Sequence, residues 1–381
     1  MYEGSNPGAY YAPSMRAVVL SSGDEPPRVT DVRLDPPKAG EVRVRVGAAG
    51  VCHSDLHVRK LEWDVPLPLV MGHEGSGVVM ELGPGVTSLS EGDHVILSWE
   101  PACGRCRACL AGRPSQCEVC AGIVWPKGVL YDGTTRFRID DRRAHHYIGV
   151  SSFSEETVVP ETGAIRVATS VPLDAAALMG CCVPTGVGAV LWTARMPPGS
   201  TAVVIGCGAV GLCAVQGAVL GAASRIVAVD LLSHKLDAAK TFGATDVVDA
   251  SAADAVETVR EITGGGADFV FDCIGLVSTA EQSIAMLSLG GTAVIVGLAP
   301  TGAMARFEPR ALAEAEQRIV GSNYGSVRPA LDFPFLVDLY RSGRLKVDEL
   351  ITMRRPLEEV EHAFDDMIAG KVVRTVLDPS L

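Results

Sequence analysis

The chain has no excess of basic residues. Its 33 lysines and arginines are outnumbered by 45 aspartates and glutamates, a formal net charge of −12 at pH 7, which argues against nucleic acid as a partner. The opening residues carry no secretory signal: Gly4, Pro7, Gly8 and Pro13 stand among tyrosines, with no basic start and no apolar core. Residues 1–14 read as a flexible arm, and cytoplasm is the default location. There is no internal repeat and no low-complexity tract. A composition of 48% hydrophobic and 20% charged residues excludes disorder for all but the ends, and 381 residues suffice for two domains with separate cores. A membrane span is also missing. The one long uncharged run, Met196 to Ser224, contains Gly217 and Gly221 in GxxxG spacing, but Pro197, Pro198 and three close glycines would break a spanning helix. The eleven cysteines are odd in number, and four lie between Cys103 and Cys117. That crowding suits metal binding in a reducing compartment better than a disulfide framework.

What is present is organised around Thr201 to Asp230. A short apolar strand, Thr201 to Ile205, runs into Gly206-Cys207-Gly208-Ala209-Val210-Gly211. A helix-forming run then leads to a second strand from Arg225, ending in Asp230. Strand, glycine turn, helix, strand and acid in that order form a dinucleotide-binding fingerprint. Gly206 permits the tight turn, Gly208 lets a pyrophosphate approach the backbone, and Gly211 lets the helix pack closely. The phosphates then meet a helix N-terminus. Four further strands follow, Asp246 to Val248, Asp268 to Cys273, Thr292 to Gly297 and Arg318 to Gly321. Between them lie a helix capped by Ser233 and ended by Gly243, and another from Ala253 to Thr263. Six strands make a doubly wound Rossmann sheet in an α/β protein. Beyond it the sequence predicts helices at 331–342 and 355–365, then a strand at 372–377 that returns to the first domain.

The first half reads differently. Short strands at 16–20 and 29–32 precede Glu41-Val-Arg-Val-Arg-Val46, whose alternation marks an antiparallel sheet with one wet side. Cys52 and His73, on glycine-flanked turns, carry donors suited to zinc. Either alone is more often a buried core residue, but together they read as a site. Cys103, Cys106, Cys109 and Cys117 can close around one tetrahedral zinc with no position left for substrate, so they hold a loop together. An iron–sulfur cluster uses similar spacing, but nothing else suggests electron transfer. Cys120 falls outside that set as a spare thiol. Residues 122–154 read as a long polar connection, with His145 and His146 as surface residues. Cys181 and Cys182 precede a helix entering the Rossmann core, and one of them can complete an open zinc site.

These motifs, in this order, resemble the zinc-dependent medium-chain alcohol dehydrogenases from about Met15 to Pro379. The resemblance rests on Cys52-His53-Ser54-Asp55, Gly72-His73-Glu74, the four-cysteine lobe, Gly180-Cys181 before Thr185-Gly186, and the glycine fingerprint. It implies a β-rich GroES-like catalytic domain (residues 15–184 and 325–381) and an NAD-binding Rossmann domain (185–324), with two zinc ions per chain. Cys52, His73 and Cys181 would bind the catalytic zinc, Cys181 standing four residues before the Thr-Gly pair, and the four-cysteine lobe would bind the structural one. Glu74 would sit near the metal and Asp55 would orient His73. Ser54 and His57 look like the family's proton relay. His53, Thr185, Lys235 and Arg374 would join Gly206, Gly208, Gly211 and Asp230 in holding the cofactor. Asp230 favours NAD over NADP, because a carboxylate accepts from ribose hydroxyls and repels a 2′-phosphate.

One departure narrows the expectation. The glutathione-dependent formaldehyde dehydrogenase branch carries an acidic residue and an arginine that hold glutathione, at positions occupied here by Trp63 and Ala121. An apolar alcohol pocket is expected instead, lined by Trp63, Trp99, Tyr147, Ile148 and Leu298. The long segment from Cys117 to Ser152 resembles that of dimeric members, so a homodimer joined through the Rossmann sheet edges is expected. The leading reading is an NAD-dependent dehydrogenase of primary alcohols, aromatic or bulky ones among them. The alternatives are a formaldehyde dehydrogenase using a thiol other than glutathione, and a non-catalytic dinucleotide-binding sensor or structural protein.

Overall fold

The computed structural model describes residues 14–381, so the arm expected at 1–14 lies outside the described residues save its last. Six parallel strands form the Rossmann sheet. Their order across it is Asp246–Asp249, Arg225–Asp230, Thr201–Ile205, Ala267–Asp272, Leu287–Ile295 and Arg318–Gly321. The order reverses beside the first strand, which places the glycine turn at the switch point where such sheets bind nucleotides. Alternate residues of one strand enter different cores, because helices cover both faces. Ala202 and Val204 pack with the helix Ala209–Leu220, while Val203 and Ile205 pack with Val259 and Met286.

The other half holds two β units. Glu41–Gly50 is the hub of a seven-stranded sheet, pairing with Glu74–Leu82, Glu156–Pro160 and Arg374–Leu377. The last of these is the C-terminal strand, which returns to the first half as expected. Val42, Val44 and Val46 are buried and Arg45 is exposed, so the alternation holds. A closed five-stranded barrel lies alongside, built from Met15–Leu20, Arg28–Leu34, Phe137–Ile139, Arg142–His146 and Leu69–Val70.

That barrel corrects the reading of residues 122–154 as a polar connection. Arg136 is buried on ion pairs with Glu41 and Asp132, and its backbone N–H donates to His146 Nε2 at 3.2 Å. His146 is buried against Phe137, with ring centroids 4.7 Å apart. His145 is only half-buried and donates from Nδ1 to the Lys127 carbonyl at 3.0 Å. Charges that pair inside a barrel have the composition of a loop, which hid these strands.

Smaller corrections concern helix starts. Ser233 is the first residue of the helix Ser233–Phe242, and Leu232 occupies the cap without a side-chain bond. Asp254 caps Ala255–Thr263, accepting from Glu257 N at 2.9 Å. Arg355 ends the strand Ile351–Arg355, and the final helix is Val360–Ile368. Pro356, which lacks an N–H, separates the two. The helix Cys182–Gly188 crosses the expected boundary at 184/185 and packs on Ala209–Leu220. Gly217 lies at that contact, where an added Cβ would stand 3.1 Å from Val187 Cα, so the GxxxG spacing serves helix packing. Among the described residues, no helix is long and apolar enough to cross a membrane.

Candidate active site

Three chain segments bring one donor each to a common point. Cys52 precedes the helix His53–Arg59, His73 precedes the strand Glu74–Leu82, and Cys181 precedes the helix Cys182–Gly188. All three are buried, and their donor atoms lie within 4.8 Å of one another. Cys181 Sγ is 3.3 Å from His73 Nε2. Asp55 holds the arrangement from behind, with Oδ1 3.1 Å from His73 Nδ1 and Oδ2 accepting the Cys52 N–H at 3.0 Å. His73 therefore donates through Nδ1 and turns Nε2 towards the sulfurs. Burial disfavours its charge, but the Asp55 carboxylate outweighs that and raises its pKa to about 10. A hydrogen bond from Cys181 holds the Cys52 thiol well below its usual range. Two sulfurs and one imidazole nitrogen, with a tetrahedral corner to spare, fit an open zinc site.

Cys182 lies outside this group. Its Sγ is 3.7 Å from the Leu178 carbonyl and it interacts with Cys213 inside the core. Glu74 is close by, with Oε1 accepting the Cys182 N–H at 3.2 Å and Oε2 3.5 Å from Arg374 Nη1. Burial raises its pKa, against the pull of Arg374. Arg374 is itself buried and donates to the Val51 carbonyl at 2.6 Å.

The short helix carries the relay candidates on one side. Ser54 Oγ is 3.8 Å from Cys52 Sγ, and His57 follows one turn later on the same face. His57 Nδ1 pairs with Glu62, and Trp63 stacks on its ring at 4.7 Å. Tyr147 meets His73 edge-on at 5.5 Å and donates its hydroxyl to the Ser54 carbonyl at 3.2 Å. Trp99 instead stacks on Tyr324 at 4.1 Å and tilts against Trp125. Ile148 packs at the edge of the core that holds Leu56 and Phe153. Leu298 is exposed, its backbone against Gly275. A cavity of about 310 Å³, lined by Asp272, Gly275, Leu276, Arg306 and Phe307 among others, lies in the Rossmann half and includes none of the five pocket candidates.

The glycine turn is built for a dinucleotide. Gly206 has φ +91°, and a Cβ on Gly211 would stand 1.7 Å from the Gly206 carbonyl oxygen, so neither position takes another residue without the turn moving. A Cβ on Gly208 would face open space. Asp230 braces the turn, accepting from Cys207 N at 2.7 Å and Leu232 N at 3.0 Å. Burial, with the charges of Arg374, His57 and Lys235, lowers the His53 pKa. Thr185 donates to the Cys181 carbonyl at 2.7 Å, fixing the start of its helix.

The second cluster is local and closed. Donor atoms of Cys103, Cys106, Cys109 and Cys117 lie within 4.8 Å of one another. Backbone N–H groups point at the sulfurs: Cys103 N to Cys117 Sγ at 3.4 Å, Cys106 N to Cys103 Sγ at 3.3 Å, and Cys109 N to Cys106 Sγ at 3.5 Å. Four sulfurs with no open corner fit structural zinc. Sequence reasoning missed Glu62, Tyr324 and Glu100. Tyr324 is buried, bonded to the Gly180 carbonyl beside Cys181, and no spacing pattern announces any of the three.

Comparison with known proteins agrees with this geometry. Residues 38–169 match the family model of the alcohol dehydrogenase GroES-like domain, and 209–342 that of the zinc-binding dehydrogenase. A probable S-(hydroxymethyl)glutathione dehydrogenase of Schizosaccharomyces pombe is 41% identical over 366 residues, 95% of this chain and 96% of that protein. The crystal structure of an alcohol dehydrogenase zinc-binding domain protein from Burkholderia ambifaria superposes with a TM-score of 0.91 at 35% identity, covering 96% of this chain and 98% of that one. Benzyl alcohol dehydrogenase from Acinetobacter calcoaceticus also gives 0.91, at 32% identity over 96% and 99% of the two chains. With one cluster open, one closed, a nucleotide turn and two matched domains, the chain belongs to the zinc-dependent medium-chain alcohol dehydrogenases, oxidoreductases with a GroES-like domain and an NAD-binding Rossmann domain.

Proposed function

We propose that the protein interconverts primary alcohols and aldehydes, aromatic or bulky apolar ones among them, by hydride transfer to and from NAD. The observation that carries this reading is the placing of Ser54 and His57 on one helix face beside the Cys52, His73 and Cys181 donors, under the ring of Trp63. Zinc held by those donors supplies Lewis-acid polarisation of an alcohol oxygen. Ser54 takes the alcohol proton and passes it to His57, whose pairing with Glu62 fixes the ring for that transfer. Tyr147 keeps water from His73, and Trp63, stacked on His57, offers apolar surface to the substrate. Arg374 brings positive charge to the pyrophosphate and His53, whose charged form is disfavoured, offers it a ring nitrogen, while Lys235 lies beside the adenosine and Asp230 selects NAD by accepting from ribose hydroxyls. The edge strand Arg318–Gly321 has one neighbour in the sheet and exposes Ile319, which supports a homodimer joined along it. Cytoplasm is the compartment in which these free thiols would stay reduced.

A thiol-dependent formaldehyde dehydrogenase is the second reading, favoured by the name of the 41% identical relative. NADH formation separates the two. Turnover of benzyl alcohol without thiol supports the apolar pocket. Turnover confined to formaldehyde with a thiol replaces that reading with the second, and comparing glutathione with smaller thiols shows which adduct is used. Tight NAD binding with no turnover of either leaves a non-catalytic binding protein.

A further inference from the structure

The cysteine lobe contains a second set of metal donors that its four-cysteine spacing does not announce. Glu100, Cys117 and Cys120 each bring one ligand atom, these atoms lie within 4.8 Å of one another, and all three residues are buried. Glu100 has no exposed surface, and neither of its carboxylate oxygens accepts from an N–H or a hydroxyl; the Cys120 thiol is the neighbour that reaches them. Cys120 Sγ is 3.5 Å from the Pro101 carbonyl and otherwise interacts with the other two members of the set, Glu100 and Cys117. A carboxylate removed from water without donors is strongly disfavoured as a charge. Unsatisfied buried groups of this kind commonly mark a missing water or ion. Water could satisfy the oxygens but makes poor use of two adjacent sulfurs, whereas a borderline-soft divalent cation uses all three groups together.

We propose that Glu100, Cys117 and Cys120 form a further zinc site, with Cys117 Sγ bridging it to the ion held by Cys103, Cys106 and Cys109. The proposal rests on the four-cysteine set being a zinc site and is independent of substrate. Its charge balances. One zinc on four thiolates carries a net charge of about −2, and adding a divalent ion with the Cys120 thiolate and the Glu100 carboxylate leaves that net charge unchanged. Two protons leave, one from the thiol and one from the carboxyl, and no electron moves. The Pro101 carbonyl, beside Cys120, is placed to supply the remaining position. The lobe then holds a two-ion cluster whose deeper half anchors the loop to the segment following Leu97.

Zinc content per folded chain, measured by plasma mass spectrometry after incubation with excess zinc and desalting, tests this directly. Three equivalents are expected in the wild type and two in both Cys120→Ser and Glu100→Gln. Circular dichroism and melting should show each variant folded. Cys181→Ser should remove one equivalent independently, and combined with Cys120→Ser should leave one. Cobalt replacement supplies a second readout: two ions sharing a sulfur couple magnetically, so the spin signal per cobalt rises when Cys120→Ser isolates the remaining lobe ion. Two equivalents in the wild type, unchanged in Cys120→Ser and Glu100→Gln but lowered in Cys106→Ser, would overturn the proposal and leave the four-cysteine site standing. Loss of no zinc from Cys106→Ser would remove that underlying site as well. Three equivalents indifferent to Cys120 and Glu100 would place the extra ion elsewhere and refute this assignment.

Discussion

Cys103, Cys106, Cys109 and Cys117 come from one short stretch of chain and three of them are half-exposed, whereas Cys52, His73 and Cys181 come from three distant segments and are all buried. The first group needs little beyond its own loop, because closing a short loop costs little entropy. The second exists only once the seven-stranded sheet has set His73 beside Cys52 and the helix entering the Rossmann half has delivered Cys181. An ion in the local cluster would therefore contribute folding energy to its loop, and one in the assembled cluster would be held by a fold that other packing already stabilises.

Three experiments bear on that contrast and a fourth serves as its control away from both clusters, the largest effect first. Cys181→Ser should lower kcat/KM by about 10³ or more, equivalent to about 4 kcal/mol of transition-state stabilisation. Its melting temperature should change little, and Cys182→Ser should leave the zinc content alone. Cys106→Ser should do the reverse, losing lobe zinc and roughly 4 kcal/mol of stability in urea unfolding. Equal stability losses in the two variants would erase the distinction between the clusters.

Asp55→Asn tests the group behind the assembled cluster. It can still accept from the Cys52 N–H but no longer orients His73 by charge, so zinc affinity and activity should fall about 10- to 100-fold. The measurement is zinc retention against a chelator, beside kcat/KM. Acid probes a polar contact that neither cluster uses. Burial, then the charges of Arg136 and His145, hold the His146 pKa down at about 3, below the ordinary histidine value of about 6.5. The unfolded chain takes up this proton first as pH falls. The stabilisation is thus present above about pH 6.5 and is lost as pH drops towards 3, the loss reaching about 2 kcal/mol by pH 5. Urea unfolding at pH 7 and 5 should show a smaller loss in His146→Gln, and an unchanged loss would mean that His146 is not the group responsible.

What could be read from the residues follows the same division. The cysteine lobe, the glycine turn and the six Rossmann strands were legible because each is encoded by neighbours in sequence: fixed spacing, a turn that only glycine fits, and apolar runs of strand length. Cys52 and His73 were legible as a zinc pair with Cys181 or Cys182 as a third donor; the choice of Cys181 and the relay needed the family resemblance, and the structure then brought Cys52, His73, Cys181, Asp55 and Ser54 together. The barrel strands at 137–146 were illegible, since Arg136 and His146 look like surface residues until Glu41 and Phe137 are known to face them.

Local spacing and periodicity along the chain carry the order of the two folding units, the closed lobe and the nucleotide turn. Packing in three dimensions turned Cys182 into the core and away from His73, stacked Trp99 on Tyr324 while Trp63 covers His57, and buried Glu100 and Cys120 beside Cys117. Each of those outcomes depends on which way a side chain points once distant segments pack, and no spacing along the chain records it.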